Sequence, residues 1–304
     1  SRPSFTWDGI AQASLPLADH PDLFTCTNAV PFHRAMPAIS SGKPVPPPFY
    51  KVVEKMYNAD RTAVLNQASW TIYVPQVVQV KWQSSAEALF RTPKVYAPNS
   101  TTSNLVYSAV YAGDSDALMQ DTLQRIRAYY PEDVNIRFVP FFSSDIETTK
   151  FLFISADIRK EIITDVSGQE QEVYVYGMTS PASLQRSATG LSDNYIGSIY
   201  DNTYTLYKNA VERVKPLPFP LPVSSSQMLD AVCRVSAHEV GHALGLVDTT
   251  YLDGVGRAHN PGVEDQTKVM NVNTALEWLF KTHSPVGWRT LNSQYLEFVL
   301  PVSK

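Results

Sequence analysis

The sequence predicts an α+β fold, and three observations carry that prediction. Strand-length runs rich in Val, Ile, Tyr and Phe recur along the chain. A long amphipathic helix opens at Ser224, where Ser224 and Gln227 have capping-box spacing. The 304 residues are 44% hydrophobic and 18% charged, which is enough apolar material for a core and excludes a largely disordered chain.

Residues 1 to about 48 read as irregular and end in Pro44-Val45-Pro46-Pro47-Pro48. Phe49, Val52, Val53, Met56, Tyr57 and Val64 give helical spacing over 49–65. Thr71–Val74 and Val77–Trp82 read as strands split by Pro75. An N-terminal extension or subdomain is therefore expected over residues 1–92, and the main domain over 93–304. In the main domain, Asn104–Ala112 reads as a strand. Asp114–Tyr130 reads as a helix with Ser115 or Asp116 as N-cap and Pro131 as its stop. Val134–Phe142, Lys150–Ile158, Val173–Tyr176 and Tyr195–Tyr200 read as further strands. Four prolines within 215–222 exclude a helix throughout that stretch. The helix from Ser224 runs to about Gly245 through Leu229, Val232, Val235 and Val240. Residues 247–268 read as loop, Ala275–Lys281 as a short helix and Tyr295–Val302 as an apolar tail.

Charge narrows the function classes. Twenty-five Lys and Arg against 29 Asp and Glu leave a net charge of −4, without the basic footprint of a nucleic-acid binder. No apolar run approaches the roughly 18 residues of a membrane span. The chain opens Ser1-Arg2-Pro3-Ser4, and its abundance of Tyr and Pro with little charge suggests a secreted or periplasmic protein whose leader has been removed. A monomer is expected.

The chemistry concentrates in His238-Glu239-Val240-Gly241-His242. Four residues advance a helix by about 400°, so His238 and His242 share one face and both imidazoles can reach one Zn²⁺. Glu239 is then placed to take a proton from the attacking water. Composition alone produces H-E-x-x-H-x-x-G in roughly 2 of 10,000 such chains. The plainer reading is a surface helix with two solvated histidines.

The motif continues Ala243-Leu244-Gly245-Leu246-Val247-Asp248. H-E-x-x-H-x-x-G-x-x-D, followed by a methionine, resembles the metzincin clan of zinc endopeptidases. The resemblance implies a twisted mixed β-sheet packed on two long helices, with an irregular C-terminal subdomain. It implies that Gly245 ends the helix in a sharp turn that brings residue 248 back to the metal. That residue is His in most of the clan; Asp248 here resembles the snapalysins, and His259 and then Asp253 are the alternatives. Met270, 28 residues after His242, takes the place of the clan's Met-turn methionine beneath the metal. Val272 stands where many members have Tyr, so Tyr295 and Tyr251 are the candidates for supporting the transition state. Tyr195–Tyr200 would lie near the antiparallel edge strand that receives extended substrate. The implied reaction is hydrolysis of a protein or peptide substrate by zinc-activated water, with Glu239 as general base. The rivals are an exopeptidase on the same scaffold and a non-catalytic binding module that kept the metal site.

Two cysteines remain. Cys26 and Cys233 could form a disulfide, stay as thiols with Cys233 in the core, or place the Cys26 thiolate on the zinc in a zymogen. The last would resemble the matrixin cysteine switch, although the surrounding residues do not match that motif. Asp8 is an acidic alternative for latency. His20, His33 and His283 read as ordinary surface or core histidines. Asp253, Glu264 and Asp265 offer carboxylates to a Ca²⁺ ion, against the simpler reading of a solvated loop.

Overall fold

A computed structural model describes residues 4–7, 15–17, 20–25, 49–57, 62–73, 76–99, 102–107, 111–142, 150–164, 167–180, 190–213, 222–246, 267–270, 276–280 and 287–300. Fourteen strands lie among them. They are β1 (Ser4–Trp7), β2 (Leu15–Leu17), β3 (His20–Thr25), β4 (Phe49–Tyr57), β5 (Val64–Tyr73), β6 (Gln76–Trp82), β7 (Lys94–Asn99), β8 (Thr102–Tyr107), β9 (Ile136–Pro140), β10 (Lys150–Ser155), β11 (Arg159–Thr164), β12 (Glu170–Val175), β13 (Gly177–Thr179) and β14 (Gly190–Tyr195). The helices among them are α1 (Ser84–Phe90), α2 (Ser115–Ala128), α3 (Ile196–Arg213), α4 (Ser225–Ala243), α5 (Leu276–Leu279) and α6 (Thr290–Val299).

The fold class is α+β, built on a five-stranded sheet in the order β13-β14-β10-β6-β9. β14, β10, β6 and β9 run parallel, and β13 closes one edge antiparallel to β14. Parallel strands covered on both faces read as continuous apolar runs rather than alternating ones. β6 (QVVQVKW) and β10 (KFLFIS) have that character, and nearly every position in both is buried. Val78, Val80, Leu152 and Ile154 project from one face of the sheet into the core, where they meet α2 through Leu118, Leu123 and Ile126 and α4 through Leu229, Val232 and Val240. Among the described residues no helix is long and apolar enough to cross a membrane.

Several expectations need correction. Residues 49–57 form strand β4, not a helix, and pair with β5 over their whole length. Short apolar runs are ambiguous in period, and the aromatic and β-branched content of Phe49, Tyr50, Val52, Val53 and Tyr57 favours the strand. Strands β1–β3 fall within the stretch read as irregular. The first strand of the central sheet is β6, not residues 104–112. β6 precedes the boundary expected after residue 92, yet it lies between β10 and β9. Residues 102–107 form β8 of a separate antiparallel pair with β7.

Tyr195–Tyr200 is not a strand. β14 ends at Tyr195 and α3 begins at Ile196. The helical period was present in the sequence: Ile196, Ile199, Tyr200, Thr203 and Tyr207 share one face, and all are buried. Gly197 permits the junction, because a Cβ there would stand 2.0 Å from the Ala156 carbonyl oxygen. Tyr295, read as the start of a short apolar tail, belongs to helix α6.

The helix expected from Ser224 forms as α4. The Ser224 hydroxyl accepts from Gln227 N at 3.2 Å and Ser224 N donates to Gln227 Oε1 at 3.0 Å, so the box closes in both directions. In α2 the N-cap is Asp114, whose Oδ1 accepts from Ala117 N at 2.8 Å, rather than Ser115 or Asp116. Ser224→Ala is expected to cost about 1 kcal/mol and to lower the melting temperature by roughly 2–4 °C. Thermal unfolding by circular dichroism checks this, and an unchanged midpoint contradicts it.

Candidate metal centre

The candidate site begins where α4 ends. Leu244 is the C-cap, and Gly245 follows with φ +101°, in the left-handed region that glycine enters without a Cβ clash. Gly245 N donates to the His242 carbonyl at 2.9 Å and Leu246 N to the Gly241 carbonyl at 3.0 Å. This pair of bonds is a Schellman turn. It carries the Leu246 carbonyl back over the last helical turn, where it accepts from His242 Nδ1 at 2.8 Å.

The other histidine is fixed from a different part of the chain. His238 Nδ1 donates to the Val269 carbonyl at 2.7 Å. Residues 267–270 are braced to deliver that carbonyl: Val269 N donates to Gly287 O at 2.9 Å and buried Arg234 donates through Nη2 to Lys268 O at 3.3 Å. A carbonyl only accepts, so both Nδ1 atoms carry their ring's proton and both Nε2 atoms present lone pairs. Those two Nε2 atoms lie 3.1 Å apart, with the rings crossing at 82°.

A cation between them would satisfy both lone pairs. A proton would serve, and so would a metal. Two nitrogens bound tetrahedrally to one zinc at 2.0–2.1 Å stand about 3.3 Å apart. The tautomers, the carbonyl partners and the spacing therefore fit a zinc ion. Of the expected third ligands, Asp248, His259 and Asp253 all lie outside the described residues, as does Tyr251. Among the described residues no group of three or more His, Cys, Asp and Glu comes together to hold a metal.

Met270 lies beneath this turn of helix and is fully buried. A Cβ at Gly241 would stand 2.9 Å from its Sδ and 3.1 Å from Cη2 of Trp288, so Gly241 is what lets both pack so close. Trp288 Nε1 donates to the Tyr129 carbonyl at 2.6 Å, and Tyr130 donates its hydroxyl to the Ala237 carbonyl at 2.9 Å. These contacts tie α4 to the end of α2.

Glu239 is also buried. Burial pushes its carboxyl up to about 8, and the charge of Asp193 adds to this, while a hydrogen bond from Thr179 acts the other way. A cation at the histidines would favour the ionised form again. Thr179 Oγ1 lies 2.8 Å from Glu239 Oε2. Thr179 belongs to β13, the antiparallel edge strand, and Tyr195 lies beside that edge as expected, its N donating to Tyr176 O at 2.7 Å.

Tyr295 lies against the end of α4. It is buried, and its hydroxyl donates to the Leu244 carbonyl at 3.1 Å, satisfying an end group of α4. Cys233 is a buried free thiol, 3.7 Å from the Thr122 carbonyl oxygen that its Sγ faces, which accords with the reading of a core thiol. Cys26, Asp8, His33, His283, Glu264 and Asp265 lie outside the described residues. Sequence reasoning missed Thr179, Gly177, Arg234, Trp288 and the carbonyls of Leu246 and Val269. No side-chain pattern marks a carbonyl, and Arg234 at one turn before His238 was the only spacing cue.

No protein-family model, no curated protein and no solved structure matches the chain at a significant level.

Gly245→Ala forces a Cβ into the left-handed region and is expected to cost about 1–2 kcal/mol. It should also free the His242 ring from the Leu246 carbonyl. Urea unfolding measures the first effect, and the imidazole ¹⁵N tautomer signals of His242 measure the second. A native unfolding midpoint with native tautomer signals contradicts this account of the turn.

Proposed function

We propose that the chain is a zinc-dependent peptidase of metzincin type, acting as an endopeptidase. The observation that carries the reading is the pair of Nε2 lone pairs on His238 and His242, 3.1 Å apart, with each Nδ1 committed to a main-chain carbonyl. Three further features support it. Glu239 lies in the same helical turn and is buried under the edge strand. Met270 packs below that turn. The mixed sheet carries α2 and α4 on one face and has an antiparallel edge strand, which accords with the layout the resemblance implies.

His238 and His242 would hold the metal, with Asp248 as the proposed third ligand. When bound, zinc supplies Lewis acidity at the scissile carbonyl and acidifies the attacking water to about pKa 7. Glu239 takes the proton of that water on a carboxylate oxygen and passes it to the leaving amine nitrogen. The carbonyls of Leu246 and Val269 hold the imidazoles in the tautomer that metal binding needs.

The edge strand supplies a place for an extended peptide. On either side of β13, Tyr176 O accepts from Tyr195 N at 2.7 Å and Ser180 N donates to Leu191 O at 3.1 Å, so even-numbered positions face β14. The main-chain groups of Gly177 and Thr179 therefore point away from the sheet, at an edge with no paired strand among the described residues. A substrate strand added there would run past Glu239.

Glu239→Gln is expected to retain zinc and to lose hydrolysis of casein by roughly 10²- to 10⁴-fold. Metal analysis and a casein assay with and without chelator check both halves. Wild-type turnover by the variant, or chelator-insensitive turnover by the native chain, contradicts the proposal.

A further inference from the structure

The proposed base is held by the strand that would receive the substrate. Thr179 Oγ1 lies 2.8 Å from Glu239 Oε2 and 2.8 Å from the Glu239 main-chain oxygen. Ser192 Oγ, directly across the strand pair, lies 3.0 Å from Thr179 Oγ1 and 3.2 Å from that same main-chain oxygen. A hydroxyl has one proton to donate. Ser192 can give its proton to the Glu239 carbonyl, which leaves the Thr179 proton for the carboxylate. Glu239 Oε2 accepts it at 2.8 Å.

Gly177 fixes the other side of the carboxylate. A Cβ there would stand 2.6 Å from Glu239 Cγ and 2.7 Å from Oε1. Glu239 therefore fills the space that a side chain at 177 would occupy, with Oε2 tied to Thr179. Oε1 is the oxygen left to take a proton. The same two residues turn their main-chain groups to the edge that has no paired strand among the described residues.

We infer that Thr179 is a positioning residue for the proposed reaction. Its hydroxyl aims the Glu239 carboxylate, and its backbone, with that of Gly177, registers the incoming peptide. Substrate and base are thus aligned by one three-residue strand. This inference rests on the peptidase reading above, and the test separates the two.

The test compares the full native chain, Thr179→Val, Thr179→Ser and Gly177→Ala, each supplied with zinc, on a casein-derived fluorogenic peptide. Thr179→Val should lower kcat roughly tenfold to a hundredfold, the worth of one hydrogen bond to a charged group. KM should stay within about twofold, because the backbone that docks the peptide is unchanged. Thr179→Ser keeps the hydroxyl and should restore most of kcat. Gly177→Ala should also lower kcat, and it should lower the melting temperature too, because the new methyl meets Cγ of the buried Glu239 at 2.6 Å and must displace it. A readout independent of turnover is the melting temperature of the zinc-free chain in a double-mutant cycle. Thr179→Val should lower it in the native background and much less beside Glu239→Ala.

Native kcat in Thr179→Val, equal loss in Thr179→Ser, or additive shifts in the cycle overturns the inference and leaves the peptidase reading in place. A native chain that hydrolyses nothing with zinc supplied overturns both.

Discussion

Two nitrogen lone pairs 3.1 Å apart are the constraint around which this end of the molecule is arranged. A cation shared between them would satisfy both at once. The fold imposes the confrontation because it removes the alternative. Each ring's proton is fixed at Nδ1 by a main-chain carbonyl, one from the turn after α4 and one from the segment before Met270. Those carbonyls come from chain segments with unrelated causes. Leu246 is delivered by the positive φ of Gly245, whereas Val269 is delivered by its bond to Gly287 and by Arg234 gripping its neighbour.

The same region buries an unusual amount of polar material. Arg234, Ser236, Glu239 and His242 are all buried along α4. Burying such groups is costly unless each finds a partner. Arg234 has the Lys268 carbonyl, Ser236 accepts from Asn194 Nδ2 at 2.9 Å, Glu239 has Thr179 and His242 has Leu246. The partners come from β13, β14 and the segments after α4, so the sheet edge and the C-terminal region are both fastened to one helix. A cation at the histidines would ease the largest remaining cost, the burial of Glu239.

The legible part of the site was the part written in side chains at fixed spacing. His238, Glu239 and His242 sit one helical turn apart, Ser224 and Gln227 mark the start of that helix, and Gly245 has the φ that a helix-ending turn requires. Met270, singled out by order and distance along the chain, packs beside Gly241. The less legible part depends on tertiary pairing. β6 reads as an isolated apolar run, and only its ladders to β9 and β10 place it mid-sheet. Thr179 reads as one threonine among several until β14 sets it against α4. The start of α3 was hidden by tyrosines and isoleucines that suit a strand, although they also repeat with a helical period.

Zinc binding tests the central claim most directly. Titration of the purified chain with zinc, followed by X-ray absorption at the zinc edge, should give one tightly bound ion per chain with imidazole nitrogens at about 2.0–2.1 Å. That uptake should be lost in the variant carrying both His238→Ala and His242→Ala. A native chain that takes up no zinc, or a double variant that takes it up equally well, contradicts the account.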